Sequence, residues 1–374
     1  MNDTDSVKGD GADVRQERLP ARDEVDEVAP GIGRIQLPIM IPGLGHVNCY
    51  VLEDDRGVTL IDPGMPDPMS HSALVARLAS IGVTPQHVHT VIVTHSHPDH
   101  FGGAGRLRAE HDTTVVAHRH FATPFDADPT DDLAELEPTA EPVNQRLADV
   151  LFGNGPMPEV PPRPTPWGEE GFRPGPGELE MMRSWDDLSK QGLLRLTPTV
   201  RVEDLEVLRI GGREWQVVHT PGHTGDHICL LEPADGILLS GDHVLPTITP
   251  HISGLTGSDD SLAEFVAALR RVADLDGVTR VLPAHGLAFD DLPGRVDAII
   301  EHHVERLAQI ERIGEELGDA RVRSYSRSLF QERSWGPMAE SETYAHLEHL
   351  RHQGLMASRV DDEGFLRYRP VPPS

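Results

Sequence analysis

Cysteine is scarce in this chain: Cys49 and Cys229 are the only two among 374 residues. So sparse a pair excludes the disulfide framework on which small secreted domains rely. Both sit in apolar, strand-like runs, NCYVL (48–52) and ICLL (228–231), so they read as small buried hydrophobes and not as metal ligands. Basic residues are also few. Lys and Arg total 33 against 61 Asp and Glu, a formal net charge of −28. Such a surface repels polyphosphate, which argues against a nucleic-acid partner and against anionic membranes. No apolar run approaches the length of a membrane span, and the opening MNDTDS has no apolar signal core. The compartment expected on that ground is the cytoplasm. A hydrophobic share of 38% and a charged share of 25% fit a soluble globular protein with some irregular sequence. The length suffices for one large domain and an appendage.

What the chain does have is concentrated in one stretch, THSHPDH (94–100). It follows the apolar run Val91, Ile92, Val93 and precedes FGGAG (101–105). Four side chains able to bind a metal crowd into six residues: His95, His97, Asp99 and His100. Burying three imidazoles and a carboxylate at a strand end is costly unless something binds them. Their nitrogen and oxygen donors suit zinc and related divalent ions. Pro98 fits the first position of a helix, so the stretch reads as strand, tight turn and helix start.

Further motifs follow in order. Asp62 lies in LIDPG (60–64), His223 in HTPGHTG (219–225), Asp242 in LSGDH (239–243) and His285 in VLPAHG (281–286). Taken singly, Asp62 and Asp242 read as turn residues and His223 as a core histidine. Taken together and in this order, they resemble the metallo-β-lactamase-fold hydrolases, whose H-x-H-x-D-H signature the 95–100 stretch matches. The resemblance covers roughly residues 30–290. It implies two divalent metal ions, zinc first with iron or manganese as alternatives. His95, His97 and His223 would hold one ion, Asp99, His100 and His285 the other, and Asp242 would bridge them. It further implies a shared water of lowered pKa as nucleophile, oriented by the catalytic Asp99. Asp62 would support the ligands without touching an ion. In oxygen-reducing diiron relatives a glutamate stands where His97 stands here, so hydrolysis is implied and not redox chemistry. His219, His243 and His251 receive no ligand role and read as pocket or capped histidines.

Along the chain, residues 1–28 are polar and expected to form a disordered tail. Short strands then alternate with helices in a catalytic domain over 29–296, as in a layered α/β protein. The resemblance makes this an αββα sandwich. Residues 119–200 interrupt it with a Pro-rich insertion, read equally as a lid over the site or as a surface insertion without catalytic part, with helices expected near 143–152 and 179–185. Residues 297–374 read as helix, helix and hairpin, which resembles a winged-helix module. Its charges are mixed, so it is expected to pack or to mediate a homodimer.

The leading expectation is a hydrolase acting on a small acyl substrate: a thioester, ester or lactone. The TPGHTG and GDH blocks resemble the glyoxalase II-like group. The C-terminal region has no match to the helical glutathione-binding segment, so a glutathione thioester is not implied. The alternatives are a metal-dependent phosphodiesterase or endoribonuclease, suggested by the tail, and a β-lactam hydrolase. A metal-bound regulatory protein without turnover is disfavoured by the complete ligand set.

Overall fold

The computed structural model describes residues 15–41, 43–123, 165–168, 188 and 193–372. Its first sheet has seven strands in chain order: β1 (Asp26–Ala29), β2 (Ile32–Pro38), β3 (His46–Asp54), β4 (Gly57–Ile61), β5 (Val88–Ile92), β6 (Thr114–His118) and β7 (Val200–Val202). β1 to β4 are antiparallel neighbours, and β4 to β7 run parallel. The parallel part needs crossovers, which α1 (Pro68–Ser80) and α2 (Pro98–His111) supply. The second sheet has five strands: β8 (Val207–Ile210), β9 (Arg213–His219), β10 (Ile228–Glu232), β11 (Ile237–Gly241) and β12 (Arg280–Pro283). Helix α3 (Ser261–Ala273) joins β11 to β12, which pair in parallel.

Period-two alternation assigns each strand face to a layer. In β3, Val47, Cys49 and Val51 face a core shared with Leu74 and Leu78 of α1 and Phe101 and Leu107 of α2. Tyr50 and Leu52 face the other way, against Trp215 and Val217 of β9 and Ile228 and Leu230 of β10. Cys229 and Leu231 turn outward again onto Leu262, Phe265 and Leu269 of α3. The order helix, sheet, sheet, helix is the expected αββα sandwich. Each fully buried Val, Leu or Ile contributes about 1.5–3 kcal/mol, so the three cores outweigh any single polar contact. Both cysteines are buried and free.

The final unit contains α4 (Leu292–Leu317), β13 (Ala320–Arg321), α5 (Val322–Leu329), α6 (Pro337–His352), β14 (Met356–Val360) and β15 (Leu366–Pro370). Its strands form a small sheet in the order β13, β15, β14. The boundary expected at 296/297 falls inside α4. Val296 and Ile299 of that helix pack on the second sheet's outer core, while Ile310 packs in the core of the final unit. One rigid helix therefore carries both cores, and no linker separates them.

The expected tail needs a second correction. Residues 15–28 are built into the fold: Gln16–Arg18 make a turn of 3-10 helix and β1 pairs with β2. Glu17 is fully buried, and its carboxylate accepts from the backbone N–H groups of Thr247 and Ile248 at 3.0 and 3.2 Å and from the Thr247 hydroxyl. A carboxylate with that many donors is stable away from water, and hydropathy does not register it. Residues 1–14 lie outside the described residues. So do the two helices expected at 143–152 and 179–185 and most of the insertion. The described part of the insertion is anchored. Leu194 and Leu196 enter the first core. Trp167, 1% exposed, packs on Tyr344 of α6 and donates through its indole Nε1 to Glu340 at 3.3 Å. No helix among the described residues is long and apolar enough to cross a membrane.

Candidate metal centre

The parallel strand pairs bring their C-terminal ends to one edge of the sandwich. Backbone bonds stitch the edge together: Ile228 N to Thr94 O at 2.9 Å, Asn48 N to Ala284 O at 2.6 Å and Ala284 N to Gly241 O at 3.0 Å. The loops that follow β5, β9, β11 and β12 therefore converge. After β5 the chain turns through His95 and His97, which caps α2, and Pro98 opens that helix. Asp99 and His100 occupy its first turn, where a carboxylate is favoured by the exposed N–H groups.

All seven residues expected as ligands meet at this edge, in two abutting groups. In the first, Nδ1 of His97 lies 3.0 Å from Nε2 of His95 and 3.0 Å from Nε2 of His223. Asp242 Oδ2 is 3.5 Å from His223 Nε2. In the second, His100 Nε2 and His285 Nε2 each lie 3.5 Å from Asp99 Oδ2. Asp242 reaches this group too, at 3.6 Å from His100 and 3.3 Å from His285. It is the one side chain common to both.

The far nitrogens of His100, His223 and His285 are tied down, which fixes those rings. His100 Nδ1 meets Asp62 Oδ2 at 2.9 Å. His223 Nδ1 donates to the carbonyl of His251, and His285 Nδ1 to that of His46, each at 2.7 Å. Asp62 also accepts from Thr94 N at 2.8 Å and from Thr94 Oγ1 at 2.7 Å. It does so from a left-handed backbone conformation, φ 55°, which aspartate tolerates better than most residues.

The donor set passes a test of fit for divalent ions. His100 Nε2, His285 Nε2 and Asp242 Oδ1 are buried with no hydrogen-bond partner, all at the centre. Buried polar atoms are normally paired, so this coincidence calls for an ion. The electrostatics agree. Burial, reinforced by the neighbouring imidazoles, holds His95 and His97 well below the usual histidine range, the latter at about 3, and lowers His223. Their lone pairs are free to donate. In the second group burial is overcome by charge. Asp99 and Asp242 draw His100 well above its usual range and His285 to about 10, and both carboxyls are held well below theirs. The carboxylates thus demand positive charge at the place where a cation would sit.

Residues 42–285 match the family model described as the metallo-beta-lactamase superfamily. The chain belongs to that superfamily. A solved structure of a metallo-beta-lactamase family protein from Thermus thermophilus superposes with a TM-score of 0.70 at 25% identity, covering 92% of this chain and 100% of the other. The lactamase-like protein vrtG of Penicillium aethiopicum is 26% identical over 78% of this chain and 68% of its own. The atrochrysone carboxyl ACP thioesterase dmxR1 of Cryptosporiopsis is 27% identical over 38% of this chain and 42% of its own.

Several residues of this superfamily member's centre escaped the sequence reading. His227 is fully buried: its Nε2 accepts from the backbone N–H of Asp242 at 3.1 Å, and its Nδ1 pairs with Thr220 Oγ1 at 2.7 Å. Asp226 accepts from the hydroxyl of Ser96, between His95 and His97, at 3.0 Å; burial lifts it to about 6. The sequence signal was the DH pair just after HTPGHTG, which differs in no local respect from a surface turn. His46 and His251 act through their carbonyls, which no side-chain motif can reveal. Of the other unassigned histidines, His243 packs on Phe265 in the core and His219 stacks on His118.

Proposed function

We propose that this protein is a binuclear metal-dependent hydrolase whose substrate is a small acyl compound: a thioester, ester or lactone. The observation that carries the reading is the pair of abutting donor groups, with Asp242 of the first also within 3.6 Å of His100 and 3.3 Å of His285 in the second. His95, His97 and His223 would hold one ion through neutral nitrogens. Asp99, His100 and His285 would hold the other, with Asp242 within reach of both groups. Zinc fits this mixed nitrogen and oxygen set best, with iron or manganese as alternatives. When bound, two such ions supply a water acidic enough to ionise near neutrality and a Lewis acid for the developing negative charge. Asp99 Oδ2, between His100 and His285, orients the attacking group and takes its proton. Asp62 keeps the Nδ1 proton of His100 in place, so that Nε2 faces inward. The name of the dmxR1 relative, a thioesterase, supports an acyl thioester among the candidates.

The final unit favours this reading over RNA cleavage. Five of its arginines are engaged within the fold. Arg321 pairs with Asp361 and Glu363, Arg359 and Arg367 with Asp319, Arg323 with Glu340 and Arg351 with Glu348. Guanidinium groups so occupied offer little to a phosphate backbone. The test has two parts. Elemental analysis after gentle purification should give close to two ions per chain, and a protein that takes up none on titration overturns the assignment. The loaded enzyme is then screened against thioesters, esters, lactones, phosphodiesters and RNA. Acyl turnover abolished by a chelator is expected. Turnover of RNA alone would move the protein to the phosphodiesterase class.

A further inference from the structure

A second cluster of histidines lies outside the centre and is used by nothing described so far. The central H-x-H follows β5, and the neighbouring parallel strand β6 runs into another: His118, Arg119, His120. The turn that gives His223 to the centre gives His219 to this cluster, four residues earlier. The pattern of the first donor group is thus repeated one strand over, with both sheets contributing. The rings of His118 and His219 stack, with centroids 4.0 Å apart and planes at 12°. His120 stands edge-on to His118 at 4.9 Å and 89°. One nitrogen from each of the three lies within 4.8 Å of the others. His118 is buried, His219 half-buried and His120 exposed, so the cluster opens to solvent on one side.

Packing alone accounts for a stacked pair of imidazoles. It gives less account of a third one placed edge-on beside them, with no carboxylate hydrogen-bonded to any of the three rings among the described residues. The nearby Asp204 is occupied: its oxygens take both bonds from the Arg271 guanidinium and one from the backbone N–H of His219. Burial, together with the adjoining imidazoles, holds His118 at about 3 and lowers His120, so both stay neutral. Lone pairs can be freed at small cost. His219 Nε2 donates to the carbonyl of Gly225 at 3.0 Å, which leaves Nδ1 as acceptor. His120 Nε2 accepts from Arg119 at 3.1 Å, but Arg119 is only half-buried and also paired with Glu203 at 2.9 Å. Among the described residues, the only hydrogen bond to the His118 ring is a long one, 3.4 Å, from the backbone N–H of His120.

The geometry points to a separate ion site in which His118, His120 and His219 bind a borderline transition-metal ion such as zinc, nickel(II) or copper(II). Three neutral imidazoles are the donor type these ions select, whereas magnesium and calcium take oxygen. The parallel rings set their nitrogens side by side, so binding requires the exposed His120 to turn inward and the stacked pair to open slightly. Three protein nitrogens leave a further coordination position on the open side. Because His219 and His223 bracket one turn, an ion here would tie the end of β6 to the loop that carries a central ligand.

The test compares the full chain with His120→Gln, a change at an exposed residue outside the centre. Both proteins are dialysed against the same buffered micromolar free zinc, and zinc per chain is measured by elemental analysis. The wild type should hold one equivalent more than the variant, whatever the content of the central site. A difference of zero overturns the inference. A difference of more than one overturns it too, since the cluster would then not be separate from the centre.

Discussion

Replacing Asp62 by Asn tests whether a residue that touches no ion governs the second donor group. The side chain keeps its shape, and Asn tolerates the φ of 55° at this position. What changes is that three donors, Thr94 N, Thr94 Oγ1 and His100 Nδ1, now face one oxygen and one NH2 group. If the oxygen stays with Thr94 N, the NH2 faces His100 Nδ1. That nitrogen must then give up its proton, and the proton moves to Nε2, the atom aimed at the candidate ion. If the amide flips, His100 keeps its tautomer, but a buried N–H of Thr94 is left against another donor. Either conflict costs about 1–3 kcal/mol, the usual penalty for an unmatched buried group. At 1.4 kcal/mol per tenfold, the first orientation weakens the second ion roughly 10–100-fold. The second orientation lowers stability by the same free energy. Competition with a chromophoric chelator measures the affinity of each ion, and thermal melting of the metal-free protein measures the stability. One of the two must move. A variant with both zinc affinities and the metal-free Tm unchanged would refute the reasoning, because Asp62 would then be a turn residue and nothing more.

Two other outcomes are expected. Asp99→Asn should lower turnover by at least about two orders of magnitude while circular dichroism stays native, since the cores are untouched and the first donor group is intact; near-normal turnover with full metal content would show that Asp99 does not handle the nucleophile. The interface between α4 and α6 should be acid-sensitive. There His303 Nδ1 meets His346 Nε2 at 3.0 Å, and burial holds the two rings at about 3 and about 4. Their folded pKa values lie below the unfolded 6.5, so their contribution is fully present above pH 6.5 and is lost as pH falls towards 4 and 3. The loss is on the order of 1.4 kcal/mol per pH unit for each ring. Glu342, held at about 2 mainly by its bonds to His251 despite burial, adds a loss only below its usual 4.5. Hydrogen exchange of α6 from pH 7 to 4 reads the effect, and a flat profile counts against it.

The sandwich was legible because its strands obey a simple rule. Val47 to Leu52 is an almost continuous apolar run, which marks a strand buried on both faces, and the family resemblance supplied the order of the layers. That the seven candidate ligands come together was legible because chemistry fixes residue type and the strand-to-loop transition fixes place. What could not be read rests on hydrogen bonds between distant segments. Glu17 looked like tail because its donors, Thr247 and Ile248, lie some 230 residues away. His227 and Asp226 carry no local signal, because their partners, Asp242 N and Ser96 Oγ, lie on other segments. The boundary at 296/297 was misplaced because α4 stays amphipathic while changing the core it packs on, and periodicity does not say against what a face is buried.

The division of ligands between the sheets has a consequence for the order in which the protein forms. Residues 95–100 belong to the first half of the chain, and His223, Asp242 and His285 to the second. Neither donor group exists in either half alone. An ion offered to the unfolded chain meets only scattered histidines, and one offered to a folded first half meets an incomplete site. Metal capture must follow the closing of contacts such as Asn48 N to Ala284 O, which span most of the sequence. Ions bound as proposed would therefore not seed the fold. They would act afterwards, slowing the separation of two halves that have already found each other. Metal added during refolding should leave the folding rate unchanged and lower only the rate of unfolding.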